Sequence, residues 1–97
     1  MANRIPVVNL DHSKRQVKVD GKEVHLTPKE YELLRLLVDA GGCAIGRNVI
    51  MQALWREHYD GGVQSATIGQ HISRLRSKIG RRTIKTVTNF GFRLVQA

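Results

Sequence analysis

In the stretch TIGQHISRLRSKIG, Thr67 to Gly80, three cations stand at two-residue steps, Arg74, Arg76 and Lys78, with His71 just ahead of them. Among them are the short hydrogen-bonding side chains Thr67, Gln70, Ser73 and Ser77. The chemistry open to such a set is recognition rather than bond-making. A guanidinium donates in a planar fork that matches phosphate oxygens or the O6/N7 edge of guanine, and amides and hydroxyls take the remaining polar edges. No other part of the chain presents a reaction centre. His12, His25, His58 and His71 lack ligand spacing and have no cysteine pair beside them, so neither a metal nor another cofactor is expected. No Ser/His/Asp set or pair of carboxylates stands out, so an enzyme is not expected. The single Cys43 cannot form an internal disulfide; it follows a helix stop and reads as a small packing residue.

The net charge of +8 is unevenly distributed. Through residue 60 nine Lys/Arg face eight Asp/Glu, whereas residues 61–97 hold seven Lys/Arg and no acid. A surface charged only for solubility mixes both signs. A tract stripped of carboxylates fits a polyanion, with a run of solvated charge as the plainer alternative. Ninety-seven residues, 41% of them hydrophobic, make a single domain over 1–97 with a small core. No apolar run approaches the roughly 18 residues of a membrane span. MANRIPVVNL lacks the apolar region of a signal peptide, so a cytoplasmic protein with no membrane partner is expected.

The basic stretch needs a helix to position it. Ile68, Ile72, Leu75 and Ile79 fall on one face of a helix over Ser65–Ile79, with Ser65 as N-cap and Gly80 as stop. At 100° per residue Thr67, Gln70, Ser73, Arg74 and Ser77 lie opposite that stripe. His71 and Lys78 flank this polar side and Arg76 lies on the other flank. Upstream, LTPKEYELLRLLVDAGG carries complete helix-start chemistry. Thr27 is the N-cap, Pro28 sits at N1, Glu30 closes a capping box, and Leu26 and Tyr31 can form a hydrophobic staple. Leu33, Leu34, Leu37 and Val38 form its buried stripe, and Gly41-Gly42 ends it. A shorter helix from Arg47 to about Glu57 buries Val49 or Ile50, Ala53 and Leu54; Trp55 near its end reads as a core or loop anchor, and the loop REHYDGGVQ follows.

Strands flank these helices. Ile5–Leu10 is apolar, DHSKR turns, and Gln16–Val19 alternates across Asp20-Gly21 with Val24 and Leu26. Asp-Gly between alternating runs signals a type I′ hairpin, with Val17, Val19, Val24 and Leu26 on one face. At the other end Ile84–Thr88 and Phe92–Val95 are β-prone runs around Asn89-Phe90-Gly91, which predicts a second hairpin. The expected class is therefore α+β, a winged helix-turn-helix. An N-terminal antiparallel sheet covers 1–26, a three-helix core 27–80, and a C-terminal β-hairpin wing 83–96. In that layout the third helix enters a major groove and the hairpin reaches the backbone or an adjacent minor groove.

Over nearly its whole length, the chain resembles the DNA-binding (effector) domain of OmpR/PhoB-type response regulators. The pieces that carry the likeness are LTPKEYELLRLL, the loop after Trp55, HISRLRSKIG and IKTVTNFGFRLV, with VKVDGKEVHLTPKE matching the family's sheet running into helix one. The resemblance implies sequence-specific double-stranded DNA binding in two-component transcription regulation. It makes helix three the recognition helix, with Gln70 and Arg74 on base edges and Thr67 joining them from the groove wall. His71, Ser73, Arg76, Lys78 and Thr86 are expected on the DNA backbone, and Thr88, Asn89 and Arg93 in the wing. The loop holding Trp55, Glu57, Tyr59 and Asp60 corresponds to one that often contacts RNA polymerase, and family members usually bind direct repeats as tandem dimers. Several positions depart from the pattern. Ser65-Ala66 replaces Asp-Arg, Gly69-Gln70 replaces a valine- or acid-rich segment, Phe92 replaces Tyr, and Thr88-Asn89 replaces the wing's Arg-Gly. The last change removes the arginine that would enter a minor groove. A receiver domain with its phosphoacceptor aspartate is not among these 97 residues.

Two other functions share the same basic face. One is non-specific nucleic-acid binding, against which stand the five aromatics, none paired on a strand to stack bases. The other is a protein-interaction module docking on RNA polymerase. For Arg74, solvation competes with base contact; for Arg76 and Lys78, with phosphate contact; for His71, helix packing competes with phosphate contact.

Overall fold

The computed structural model describes residues 5–55 and 65–95. Strands β1 (Val8–Asp11), β2 (Gln16–Val19) and β3 (Lys22–Val24) form an antiparallel sheet in the order β1-β2-β3. Asp20 and Gly21 have φ of 51° and 83°, and Val19 lies opposite Lys22, which is the two-residue turn expected from Asp-Gly. The first strand starts later than the apolar run Ile5–Leu10 suggests. The reason is a competing partner: Val7 donates its N–H to the Asp20 carboxylate (3.0 Å) and accepts from the Asp20 N–H (2.8 Å), so the ladder begins at Val8↔Val19. Val17 is buried, and Val19 and Leu26 are half-buried against the core.

Helix α1 (Pro28–Asp39) begins as its sequence dictates. The Thr27 hydroxyl accepts from the Glu30 N–H (3.2 Å) and the Glu30 carboxylate accepts from the Thr27 N–H (3.0 Å), so both halves of the capping box are present. Leu33, Leu34 and Leu37 are fully buried, Val38 half-buried, and Gly41 and Gly42 leave the helix at positive φ. Tyr31 is buried beneath the Arg15 guanidinium (4.4 Å to the ring centroid), and among the described residues its hydroxyl has no hydrogen-bond partner. An unpaired buried hydroxyl costs about 1–3 kcal/mol. Tyr31→Phe is therefore expected to raise stability by about 1 kcal/mol in urea unfolding; a drop in stability would show that the hydroxyl is satisfied.

Helix α2 (Arg47–Leu54) is capped at Trp55; Glu57, the expected end, lies outside the described residues. Its buried face is Ile50, Met51 and Leu54, while Val49 (52% exposed) and Ala53 point outward. The expectation that Ala53 is buried is thus corrected: Val49 and Ala53 share the i, i+4 row beside the core-facing one. Cys43 is exposed, not a packing residue, because the paired glycines before it carry the chain over the surface. Helix α3 (Ser65–Ile79) has the expected bounds, and Ile68, Ile72, Leu75 and Ile79 are all buried.

The C-terminal hairpin pairs β5 (Ile84–Val87) with β6 (Gly91–Leu94), and the turn between them holds Asn89 at φ 61°. A third strand, β4 (Ile45–Gly46), which the sequence did not announce, adds to β6 and gives the order β4-β6-β5. Register places Ile45 opposite Phe92 and Gly46 opposite Gly91. The strands approach so closely that a Cβ on Gly91 would overlap the Ile45 carbonyl oxygen and lie 2.8 Å from its carbon. The two sheets and three helices enclose one core, in the winged helix-turn-helix layout.

Candidate nucleic-acid interface

Because Ile68, Ile72, Leu75 and Ile79 have at most 1% of their surface exposed, the phase of α3 is fixed. Gln70, Ser73, Arg74 and Ser77 consequently face out and are exposed. Thr67 lies in the first turn of this helix, and its side chain is outside the described residues. Ser77 donates its hydroxyl to the Arg74 backbone carbonyl (2.8 Å), and exposed Arg74 stands among the small exposed side chains of Ser73 and Ser77. Small neighbours are what a helix needs if its backbone is to approach base edges.

The two flanks of α3 meet different neighbours. On one, the Lys78 ammonium lies 2.6 Å from the Glu30 carboxylate, itself only 2% exposed. Burial pushes the Glu30 carboxyl up, but the bonds from Lys78 and from the Thr27 N–H outweigh it and hold it below the ordinary carboxylate range. On the same flank His71, half-buried, packs edge-on against Trp55 (ring centroids 5.4 Å apart, planes at 86°). Trp55 is half-buried on the core with the Lys29 ammonium 5.5 Å from its ring centroid, and Lys29 also donates to the Leu54 carbonyl. Trp55 is thus an anchor at the root of the loop, while Glu57, Tyr59 and Asp60 lie outside the described residues. The first turn of α1 therefore grips both the end of α2 and the far end of α3.

On the opposite flank Arg76 turns toward the hairpin. Its Nε donates to the Ile84 carbonyl (3.1 Å) and its terminal nitrogen to the Thr86 hydroxyl (2.9 Å). This engages Thr86, expected on the DNA backbone, although the residue stays exposed. Between this side of α3 and the hairpin lies a concavity of about 750 Å³ lined by Ser73, Arg76, Arg81, Arg82, Lys85 and Arg93, among others. The geometry thus brings Ser73, Arg76, Thr86 and Arg93 together, and separates them from His71 and Lys78. Arg81, Arg82 and Lys85 line this concavity although the sequence reading did not single them out. They contributed to the charge excess, but they follow the helix and so escape a helical-wheel argument. At the hairpin tip Thr88, Asn89 and Phe90 are exposed, with Phe90 at 52%.

Among the described residues no helix is long and apolar enough to cross a membrane. Comparison with known proteins matches residues 21–94 to the family described as transcriptional regulatory protein, C terminal. The response regulator protein PmrA of Pseudomonas aeruginosa is 38% identical over 89 residues, covering 92% of this chain and 39% of that protein. The transcriptional regulatory protein BasR of Escherichia coli is 36% identical over 88 residues, covering 91% and 39%. The chain spans about two-fifths of the length of these relatives. Among solved structures, the Klebsiella pneumoniae RstA DNA-binding domain in complex with RstA box superposes with a TM-score of 0.79 at 28% identity, covering 95% of this chain and 94% of that one. The DNA-binding domain of CpxR from Escherichia coli gives a TM-score of 0.75 at 26% identity, covering 97% and 95%. Fold, helix phase and these matches agree: the chain belongs to the C-terminal domain family of transcriptional regulatory proteins, the effector domains of OmpR/PhoB-type response regulators.

Proposed function

We propose that this domain binds double-stranded DNA sequence-specifically and thereby regulates transcription, with α3 in a major groove and the β5–β6 hairpin on the backbone or the adjacent minor groove. One observation carries the reading. Of the three cations on α3, Arg76 is held by the hairpin and Lys78 by Glu30, whereas the Arg74 guanidinium has no protein partner among the described residues. It stands on the exposed polar face beside Gln70 and Ser73, where a bidentate contact to guanine is open to it. A DNA-binding domain of this fold solved in complex with RstA box supports DNA as the partner. His71 and Lys78 serve on this reading as internal braces, which leaves Thr67, Gln70 and Arg74 as readers and Ser73 and Thr86 beside the backbone. Pairing of two copies on direct repeats, and contact of the loop after Trp55 with RNA polymerase, rest on the family resemblance. Regulation of this kind operates in the cytoplasm, and it requires no enzymatic activity of the domain.

Selection from random duplexes, followed by titration of the winning sequence, tests the proposal. Arg74→Ala is expected to cost about 1–3 kcal/mol and to relax preference at one base position. Equal binding of all duplexes, or equal binding of single strands, would defeat it and favour a non-specific binder.

A further inference from the structure

We propose that the concavity between α3 and the hairpin is a phosphodiester-binding cleft, in which Arg81 and Arg82 grip the backbone of one DNA strand. The inference rests on the reading of α3 above and adds a site to it. Its lining includes five cations, Arg76, Arg81, Arg82, Lys85 and Arg93, and no carboxylate. Arg76 is engaged by Ile84 and Thr86, but the charged groups of the other four have no hydrogen-bonding or acidic partner among the described residues. Folding alone does not reward that arrangement. Lys85 and Arg93 are directly opposed across β5 and β6, a placement in which like charges destabilise a sheet. A polyanion laid in the cleft accounts for both facts.

The pair Arg81-Arg82 is also held ready. These are the two central residues of a turn closed by the Thr83 N–H on the Gly80 carbonyl (3.3 Å), and the Thr83 hydroxyl donates to the same oxygen (2.6 Å). Thr83 is fully buried, and its own carbonyl accepts from the Val95 N–H (2.7 Å), so the turn is fastened to the end of the hairpin. Both arginines are exposed. Their turn spends little ordering entropy when a ligand arrives, because the backbone is already fixed. The cleft shares Ser73 and Ser77 with the outward face of α3, so a strand whose bases meet Gln70 and Arg74 has its phosphates at the cleft mouth. Affinity then comes largely from the turn and hairpin, and sequence preference from the helix.

The test is the salt dependence of binding to the selected duplex and to a scrambled one. Removing one phosphate interaction lowers the slope of log K against log salt by about 0.9. The double variant Arg81→Gln/Arg82→Gln is expected to lower the slope by about 1–2 and to weaken both duplexes by the same factor, leaving their ratio unchanged. Lys14→Gln/Lys22→Gln removes the same charge from the N-terminal sheet and is expected to leave the slope in place. The cleft is overturned if the two double variants behave alike, or if the arginine variant changes the ratio, which would make these residues base readers. If wild-type protein does not discriminate the duplexes but the arginine variant still lowers the slope, the reading of α3 falls and the cleft stands.

Discussion

Gly91→Ala is expected to destabilise the domain by about 3 kcal/mol or more, read as a lowered midpoint in urea unfolding. The added methyl meets backbone: the Ile45 carbonyl oxygen, its carbon at 2.8 Å and the Gly46 Cα at 3.0 Å. A flexible side chain could move aside from such an intrusion, but a strand cannot without giving up its pairing. Pushing β4 away breaks its ladder with β6 and strains the bond from the Arg47 N–H to the Phe90 carbonyl (3.2 Å), where α2 begins. Gly69→Ala is the matched comparison. Gly69 is exposed in α3 and a Cβ there meets nothing within 4 Å, so helix propensity alone decides, and a gain of about 0.5–1 kcal/mol is expected. If both alanines shift stability by similar small amounts, β4 does not approach β6 as described.

Lys78→Met is expected to cost about 2–3 kcal/mol at neutral pH. It leaves the Glu30 carboxylate, 2% exposed, with the Thr27 N–H as its main remaining donor. The cost falls below the roughly 3–5 kcal/mol of a fully buried broken pair because the Lys78 side chain is 36% exposed and screened by water. The pH dependence has a definite sign. Glu30 titrates below its ordinary 4.5 in the folded protein, so its contribution is complete above that pH and is lost as pH falls through the folded value. The gap between wild type and Lys78→Met should therefore close on acidification, and Glu30→Gln introduced alongside Lys78→Met should recover much of the stability. DNA binding gives a separate readout. A brace leaves the salt slope unchanged, whereas a phosphate contact would lower it by about 0.9; the latter result would return Lys78 to the interface.

Features written in neighbouring residues were legible in the sequence. Thr27, Pro28 and Glu30 set the start of α1, Asp20-Gly21 set the first hairpin, and the isoleucine–leucine stripe set the face of α3 that is buried. What escaped depended on partners distant in the chain. Strand β4 is two residues long, too short for any periodicity, and exists only because β6 lies beside it. The phase of α2 turned on one position, and Ile50 with Met51 displaced Val49 and Ala53 from the core. Arg74, Arg76 and Lys78 look interchangeable on a helical wheel. They separate only when Thr86 and Glu30 come within reach, the latter 48 residues away in sequence. Charge counting found the basic third of the chain but could not tell cations with protein partners from those without one among the described residues.

The two bonds from Arg76 to β5 tie α3 and the hairpin into one body at that point. If that body straddles a duplex, its span works as a fixed gauge laid along the helical repeat. Opening or closing to suit a differently wound site would cost those two bonds, so the nucleic acid would share the adjustment, at an elastic cost set by its own stiffness. On the proposed DNA-binding reading, affinity would then depend on the winding of the duplex as well as on its sequence.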